Sequence, residues 1–342
     1  MSAEKRITII DLAMELNLSP STVSRALNDR WDVSKETRRK VLEKAEELNY
    51  KPNVLSLGLK GFKTFTVGVI IPEFVNSFFA EVLNGINSVL QNHDYQILIC
   101  QSNEDSDQEL SNIRLLESRF VDGYLVSVSD NDANAAYFKA LVDKGSPLVF
   151  FNRICSRVQV PSVVVDDRKY AYLATNHLIQ QGCRRIAHFM GPDNIAVSQD
   201  RKMGYLDALK ENNIPLDESL LIPAGIFMED GAAAAEKLLS DGRALPDGLF
   251  AVNDPCAIGA MKTLKRAGIS IPSEVAVVGF SESQMASIVE PGLTSVKQPT
   301  FEIGASSARL LLEWIQTGRM PRSRQLKLDA SLIVRDSSLK RT

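Results

Sequence analysis

The chain has few cysteines and histidines for its 342 residues, and this scarcity limits the redox and metal chemistry it can carry. The three histidines, at positions 93, 177 and 188, lack the spacing of metal ligands. The cysteines are far apart and form no CxxC pair: Cys100, Cys155, Cys183 and Cys256. A disulfide scaffold and a thiolate zinc site are therefore not expected, and we predict no metal or cofactor.

Long apolar runs and glycine-rich phosphate loops are also missing. No stretch approaches the roughly 18 consecutive apolar residues of a membrane span. The N-terminal MSAEKRITII has neither the apolar core nor the small-residue cleavage site of a secretory signal. There is no P-loop and no G-x-G-x-x-G, so nucleotide binding through a glycine-rich loop has no support. We therefore expect a reduced, cytoplasmic protein without a membrane partner.

The charge is divided unevenly along the chain. Residues 1–63 hold 12 Lys and Arg against 9 Asp and Glu, a balance of +3 in a chain of net charge −3. The remainder must then carry −6. A slightly basic head on an acidic body suits a nucleic-acid contact confined to the head.

Residues 1–50 have the pattern of three short helices. The first has an apolar stripe at helical spacing, formed by Ile9, Leu12, Ala13 and Leu16. The second has Ser19 as N-cap and Pro20 at its first position, and turns inward Val23, Ala26 and Leu27. The third begins at Ser34 and presents on one face Val41, Ala45 and Leu48. The short LNL connection between the first two helices predicts a helix-turn-helix.

The second helix leaves polar side chains on or near its outer face: Ser21, Ser24, Arg25 and Asn28. Short hydroxyl side chains near a helix N-terminus can donate to phosphates, and an arginine can bind guanine bidentately in the major groove. The alternative is a solvated polar face on a well-capped helix. These residues alone leave both interpretations open.

From about residue 66 the period changes to short apolar runs typical of strands: TVGVIIP, YQILIC, VDGYLVSV, PLVFFN, SVVVDD, RIAHFMG, GLFAVND, VAVVGF and LTSVKQP. Segments of helical length lie between most of them, at 78–92, 107–119, 168–182, 201–212 and 254–267. This alternation predicts parallel sheets covered on both faces. About 270 residues are too many for one sheet, so we predict an α/β body of two lobes with a ligand cleft between them.

Residues 51–65 form the expected hinge between head and body. The segment NYKPNVLSLGLKGFKTF contains Pro52, Gly58 and Gly61, yet Leu55 and Leu59 have the spacing of a helix face. Gly58 would cost such a helix about 1 kcal/mol relative to alanine. A segment this marginal could fold only against a partner.

These residues resemble the lactose/galactose repressor family of bacterial transcription regulators. The matching motifs are SPSTVSRALN, then SKETRRKV and LNYKPN in the head, and VGVIIP, VDGYLV, HLIQQGCRRIAHFMGP, FAVNDPCAIGA, VAVVGF and LTSVKQP in the body. The resemblance extends over residues 6–336. It implies a small all-α helix-turn-helix head and a body of two doubly wound lobes of the periplasmic-binding-protein type.

The resemblance also implies domain limits. The first lobe would hold about 66–166 and 293–322, and the second about 167–292 and 323–336, followed by a tail at 337–342. The chain after LIVRDSS has no leucine heptads, so a homodimer is expected rather than a tetramer, on a pseudo-palindromic operator.

The resemblance implies two sets of contact residues in the head and hinge. Base-reading positions of the recognition helix would be Pro20, Ser21 and Arg25. Phosphate-contacting or supporting positions would be Thr8, Ser19, Ser24, Asn28 and Thr37. Leu59, followed by Lys60, matches a leucine that family members insert into the minor groove, where an apolar side chain can kink the duplex.

A third set implied by the resemblance lines the effector cleft: Phe78, Phe79, Asn152, Asp166, Arg201, Asn253 and Ser281. A planar fork of donors at Arg201 suits a hydroxyl-rich or anionic ligand, whereas the alternative is a surface arginine at a helix start. Phe78 or Phe79 could stack on a ligand or pack in the lobe core. Asn253 follows a strand end, where ligand groups are expected, and Asp254 could instead cap the next helix.

Two positions of the cleft depart from the family pattern. Ser281 stands where an acidic residue usually binds ligand hydroxyls, and Ile195 stands where purine-binding members have an arginine. A purine corepressor is therefore disfavoured, and a sugar or phosphorylated sugar is the expected effector.

Three function classes can be compared on the sequence. The first is a bacterial, nucleoid-associated transcription regulator controlled by a small ligand, which the resemblance implies to be a repressor. A solute-binding protein of transport is the alternative, because it uses the same two-lobed fold, but it would lack the head. An enzyme would need an acid/base pair, and the adjacent Asp166 and Asp167 would point to opposite faces of a strand. We therefore expect no enzyme activity.

Overall fold

The computed structural model describes residues 7–27, 31–48, 50, 63–75, 77–242 and 244–340. The chain divides into two compact units, residues 1–64 and residues 65–342. Among the described helices, none has the length and apolar character needed to cross a membrane.

In its described residues, the first unit contains three short helices, α1 (Ile9–Glu15), α2 (Pro20–Leu27) and α3 (Lys35–Glu47). Each begins at a side chain that accepts a backbone N–H: Thr8 from Asp11, Ser19 from Thr22, and Ser34 from Thr37. These caps satisfy donors that a helix start otherwise leaves unpaired. The helices share one small core, formed by Leu12, Ala13, Val23, Ala26, Val41 and Ala45. The three predicted helices are confirmed.

The second unit contains two six-stranded sheets. The first has the order β11-β5-β4-β3-β1-β2 and is parallel throughout, with the strands β1 (Thr66–Ile71), β2 (Gln96–Gln101), β3 (Gly123–Val126), β4 (Leu148–Phe151), β5 (Ser162–Val165) and β11 (Gln325–Leu328). The second has the order β12-β10-β9-β8-β6-β7, with the strands β6 (Ile186–Met190), β7 (Leu221–Pro223), β8 (Gly248–Ala251), β9 (Ala276–Ser281), β10 (Thr294–Lys297) and β12 (Ser331–Ile333). Only β12 is antiparallel to its neighbour among these described strands.

Among the described residues, eight α-helices cover the sheets: α4 (Ser77–Leu90), α5 (Ser106–Ser118), α6 (Ala135–Asp143), α7 (Asp167–Gln180), α8 (Ala196–Glu211), α9 (Met228–Ser240), α10 (Asp254–Arg266) and α11 (Thr300–Thr317). Parallel strands need such crossover helices, and the central apolar strands are buried on both faces, whereas the edge strand β2 is partly exposed. The predicted class of two doubly wound α/β lobes is confirmed.

Three helix pairs in this unit approach closely at glycines. A Cβ at Gly85 of α4 would overlap the carbonyl oxygen of Phe301 at the start of α11, and one at Gly304 of α11 would overlap that of Val82. The α9–α10 pair has the same reciprocal arrangement, and Gly204 of α8 lies against α7. Glycine is therefore required here for close approach of backbones, not for an unusual φ.

The chain crosses between the lobes at different places from those expected. Residues 293–322 were assigned to the first lobe, yet β10 pairs in parallel with β9 in the second sheet. Residues 323–336 were assigned to the second lobe, yet β11 pairs with β5 in the first. The chain crosses once directly after β5, and the next two crossings lie near residues 298–299 and 329–330. The hydrogen-bond partners of a strand decide which lobe it belongs to, and an apolar run in the sequence does not indicate those partners.

Candidate functional sites

One cleft of about 420 Å³ lies between the two lobes at the carboxyl ends of their strands. Glu73 follows β1, Asn152 follows β4, Asn253 follows β8, and Ser281 ends β9. The volume is in the range of about 300–1,000 Å³ typical of small-molecule sites. Open α/β sheets bind ligands at this edge because the strand ends and the helix N-termini meet there.

Six of the seven side chains predicted for the cleft line it: Phe78, Phe79, Asn152, Arg201, Asn253 and Ser281. Asp166 does not. It caps α7 by accepting the Lys169 N–H at 3.1 Å, and it accepts a hydrogen bond from Lys327 Nζ at 3.1 Å. Burial acts to raise the pKa of Asp166, but the hydrogen bonds from the Lys169 N–H and from Lys327 outweigh that effect. The pKa of this carboxyl group is therefore lowered.

Arg201 is buried, with 5% of its surface exposed, so the surface-arginine alternative is wrong. Its Nε donates to Asp167 Oδ1 at 2.8 Å, and its Nη1 donates to the Val252 carbonyl at 2.6 Å. The guanidinium also lies 3.8 Å from the centroid of the Phe280 ring. Burial raises the pKa of Asp167, and Arg201 opposes that rise. The arginine is thus held in place before any ligand arrives, and its charge is balanced within the protein.

Asp167 was the carboxylate that sequence reasoning passed over. The pair Asp166–Asp167 lies at the start of α7 and not within a strand. A helix rotates successive side chains by about 100°, so one carboxylate faces Lys327 and the other is buried against Arg201. The start of a helix directly after SVVV was the available signal.

Phe78 and Phe79 contact each other edge to face, with ring centroids 5.1 Å apart. Both are nearly buried in the core of the lobe while also lining the cleft. The sequence left ligand stacking and core packing open, and the structure places both side chains in both environments.

The residue that caps the start of α10 is Asn253, and not Asp254. Asn253 caps α10, because its Oδ1 accepts the Cys256 N–H at 3.0 Å, while its Nδ2 donates to the Ile226 carbonyl at 2.8 Å. The suggestion that Asp254 caps the helix is therefore wrong. Asp254 is fully buried, and accepts the Ser283 N–H at 2.5 Å and the Ser295 hydroxyl at 2.6 Å. Burial raises its pKa to about 6.

Three residues that line the cleft each have a buried side-chain atom without a hydrogen-bond partner among the described residues. These atoms are Arg153 Nε, Ser283 Oγ and Gln298 Oε1. The remaining guanidinium nitrogens of Arg153 bind Glu104 bidentately, at 2.5 and 3.0 Å. Buried polar groups are normally paired, so these atoms are candidates for contact with ordered water inside the protein. None of the three residues was predicted from the sequence.

Hydrogen bonds join the two lobes at one rim of the cleft, in what we call the rim latch (Asp130, Asn131, Asn194 and Ala196). Asn131 N–H donates to the Asn194 carbonyl at 3.1 Å, and Ala196 N–H donates to Asn131 Oδ1 at 2.8 Å. Asn194 Nδ2 donates to Asp130 Oδ2 at 2.8 Å. The latch connects the loop after β3 to the start of α8, the helix that carries Arg201.

The head places most of its predicted contact residues at the surface. Ser19, Pro20, Ser21 and Arg25 are exposed, Ser24 is partly exposed, and all belong to α2 or its cap. Ser19 Oγ shares hydrogen bonds with Ser21 Oγ at 2.7 Å and Thr22 Oγ1 at 2.9 Å. Arg25 Nη1 lies 3.3 Å from Asp32 Oδ2, with 57% of the arginine side chain exposed.

The remaining predicted head residues have mixed positions. Thr8 is exposed and forms a capping box with Asp11, and Thr37 is partly buried with its Oγ1 2.9 Å from Ser34 Oγ. Asn28, Leu59 and Lys60 lie outside the described residues.

Trp31 was missed by sequence reasoning. It lies between α2 and Asp32, the ion-pair partner of Arg25, and 94% of its surface is exposed. Single exposed apolar side chains are common at protein surfaces, so its exposure alone assigns Trp31 no role.

Metal and catalytic sites have no support in the described part of the chain. No group of three or more His, Cys, Asp or Glu there could hold a metal ion. His177 is buried in the last turn of α7, as expected of a packed residue, with Nε2 2.8 Å from Ser338 Oγ. The four cysteines are free thiols.

Comparisons with known proteins match the whole described architecture. A family model for bacterial regulatory proteins of the lacI family matches residues 8–53, and one for periplasmic binding proteins and the sugar-binding domain of the LacI family matches residues 64–335. Catabolite control protein A of Priestia megaterium is 34% identical over 310 residues, which cover 90% of this chain and 92% of that protein.

Two solved structures of regulators are also similar over nearly all of this chain. A complex of the transcriptional regulator CelR with cellobiose has a TM-score of 0.74 and 31% identity, over 97% of this chain and 100% of that one. The lac repressor dimer bound to operator and an anti-inducer has a TM-score of 0.81 over 98% and 100%, and its 24% identity supports the fold alone.

Proposed function

The chain belongs to the lacI family of bacterial regulatory proteins, and on that premise we propose that it represses transcription as a homodimer on a pseudo-palindromic operator under control of a small ligand. The observation that carries the proposal is the presence, in one chain, of a capped helix-turn-helix and a two-lobed cleft lined by polar side chains at the strand ends. The ligand proposed is a sugar or sugar derivative. Such a regulator acts on DNA in the bacterial cytoplasm, at the nucleoid.

The head supports operator recognition through its α2 surface. Serine hydroxyls at the start of α2 suit phosphate contacts, which set register, while Arg25 suits bidentate binding of guanine. The ion pair with Asp32 limits the positions that the Arg25 guanidinium samples. A preorganised arginine loses less conformational entropy on binding a base.

The body supports ligand control through the rim latch. A ligand in the cleft contacts both lobes and therefore favours the arrangement in which the latch is formed. A ligand shifts such an equilibrium only by its difference in affinity for the two arrangements, and a coupling of about 1–3 kcal/mol is typical. In a dimer, a change in lobe arrangement alters the spacing of the two heads.

The transport alternative is not supported, since a periplasmic solute-binding protein has no use for a DNA-binding head. The family model for the head and the regulators similar over 90% or more of this chain both favour regulation. Members of this family regulate transcription and are not enzymes.

Operator selection from a random DNA library tests the proposal. The wild-type chain should select a two-fold symmetric site. Arg25→Ala should lose the preference at one position of each half-site and cost roughly 1–3 kcal/mol of specific binding. Arg39→Ala removes the same charge from the exposed face of α3 and is the matched control. It should weaken binding without changing the selected sequence, and an unchanged sequence in Arg25→Ala would contradict the role of Arg25.

A further inference from the structure

Phe65 has a backbone conformation that bulky side chains seldom adopt. Its φ is +50°, in the left-handed region, where a residue of this size is a clear outlier. Ten described non-glycine residues have a positive φ, and nine of them lie at, or shortly after, the end of a helix or strand. Phe65 is the exception, because it directly precedes β1 at the point where the chain enters the body. The end of a helix or strand therefore does not account for its conformation.

Both backbone polar groups of Phe65 are bonded to the strands on either side of β1. Its N–H donates to Asp122 Oδ2, directly before β3, at 2.9 Å. Its carbonyl accepts the N–H of Gln96, the first residue of β2, at 2.8 Å, and Asp122 N–H donates to the Thr66 carbonyl at 2.8 Å. Because β1 lies between β2 and β3 in the sheet, Phe65 is held from two sides.

The side chain of Phe65 adds a third contact. Its ring packs on that of Tyr95, with ring centroids 5.3 Å apart and the planes tilted by 51°, as aromatic pairs prefer. Tyr95 is 3% exposed and belongs to the apolar core of the body, so it provides a fixed surface. Phe65 itself keeps 48% of its surface in water, so it contributes less to the core than a buried phenylalanine would.

These contacts form what we call the exit clamp (Phe65, Tyr95, Gln96 and Asp122). Strained backbone conformations persist only where the surrounding structure enforces them, and they are concentrated at sites that need a fixed geometry. The backbone has only two soft dihedral angles per residue, so a rotation at Phe65 would redirect all of the chain that precedes it. The exit clamp therefore fixes the direction in which the chain leaves the body.

We propose that Phe65 is a positioning residue for operator binding, and that the exit clamp sets the half-site spacing that the homodimer accepts. This inference rests on the proposed regulatory function, and adds to it a residue outside both the recognition helix and the cleft. If the hinge folds on the operator, as its sequence predicts, a loose junction at Phe65 would leave the separation of the two heads variable. Half-site spacing is a geometric property of a dimer, so it reports that variation directly.

Operators of altered spacing test the proposal on the full-length dimer. The site selected by the wild-type chain is rebuilt with two base pairs added or removed between its half-sites, and binding is measured by fluorescence anisotropy. Two base pairs move one half-site by about 7 Å and rotate it by about 70° around the DNA axis. The wild-type chain should therefore lose affinity by about ten-fold or more on either altered site.

Phe65→Gly removes the ring contact and introduces a residue that adopts many backbone conformations. Its loss of affinity on the altered sites should shrink to about three-fold or less, and its affinity for the original site should fall roughly ten-fold because each glycine must be ordered on binding. Phe65→Tyr keeps the ring and should retain the wild-type spacing preference. Asn213→Gly is the matched control, because Asn213 is exposed and has a φ of +54° after α8.

Melting temperatures separate positioning from stability, because a residue that only stabilised the body would change melting without changing the spacing preference. If Phe65→Gly keeps the wild-type preference, this inference fails and the regulatory function stands. The same loss of preference in Asn213→Gly, or in Phe65→Tyr, would also overturn the role of the clamp. If the folded wild-type chain selects no operator, the regulatory function fails and this inference fails with it.

Discussion

The buried ion pair between Arg201 and Asp167 should be among the most sensitive points of the body. Both side chains are less than 7% exposed, and the pair links α8 to the start of α7 beside the cleft. Replacing Asp167 by asparagine leaves a buried guanidinium without its counter-charge. Breaking a buried pair from one side costs about 3–5 kcal/mol, so Asp167→Asn should lower the free energy of unfolding by that amount.

A double-mutant cycle in urea separates the pair from its surroundings. Arg201→Met should also destabilise, because Asp167 is then the unpaired charge and the Val252 carbonyl loses its donor. The double variant Asp167→Asn with Arg201→Met should lose less than the sum of the two single losses. Two groups that contact each other typically show an interaction energy of about 0.5–3 kcal/mol in such a cycle.

The same two helices provide a matched control. Arg168 on α7 and Asp207 on α8 form a bidentate pair at 2.6 and 3.0 Å, but both side chains are more than a third exposed. Exposed pairs contribute little because water screens them. Asp207→Asn should therefore change the free energy of unfolding much less than Asp167→Asn. Equal losses in the two variants would refute the argument that burial gives the Arg201 pair its importance.

Three further outcomes can be checked on the purified chain. Asn131→Ala removes the bond to Ala196 N–H, so small-angle scattering should show a larger radius of gyration without ligand; an unchanged radius would mean that the rim latch does not hold the lobes. Asp254 has a folded pKa of about 6, above the unfolded value of about 3.9, so its contribution to stability rises by up to about 3 kcal/mol as the pH falls from 7 toward 4. Asp254→Asn should remove that rise from the urea midpoint, and an unaltered pH profile would assign the rise to other groups. Gly85→Ala should destabilise by more than about 1 kcal/mol in thermal unfolding because its Cβ meets the Phe301 carbonyl, whereas helix propensity alone predicts stabilisation of about 1 kcal/mol.

Local chemistry predicted the head well. Helix ends there are set by neighbours in sequence, such as Thr8 with Asp11 and Ser34 with Thr37, so the three helices could be inferred from caps and apolar spacing. Each of the nine expected apolar runs contains a strand, because an apolar run bounded by turns is also a local pattern. The strands β7 and β12, which have only three residues each, and the partly exposed β11 lacked a run long enough to recognise.

Six of the seven residues that the resemblance assigned to the cleft do line it, but the hydrogen-bond and ion-pair partners of their side chains were not predicted. Arg201 looked available to a ligand, whereas Asp167, 34 residues away, balances its charge. Asn253 looked like a ligand contact, and its side chain is used in capping α10 and bonding the Ile226 carbonyl. A polar side chain's partners come from distant parts of the chain, which no local pattern shows.

The sequence by itself therefore determined the class of protein, the helix-turn-helix and the alternation of strands and helices, because these depend on spacing, capping and apolar period over a few residues. Only the tertiary structure decided which sheet takes β10 and β11, which arginine charges are balanced, and which apolar side chains face the cleft. The physical reason is that strand pairing, ion pairing and burial join residues far apart in the chain, and their free energies depend on the surroundings that folding creates.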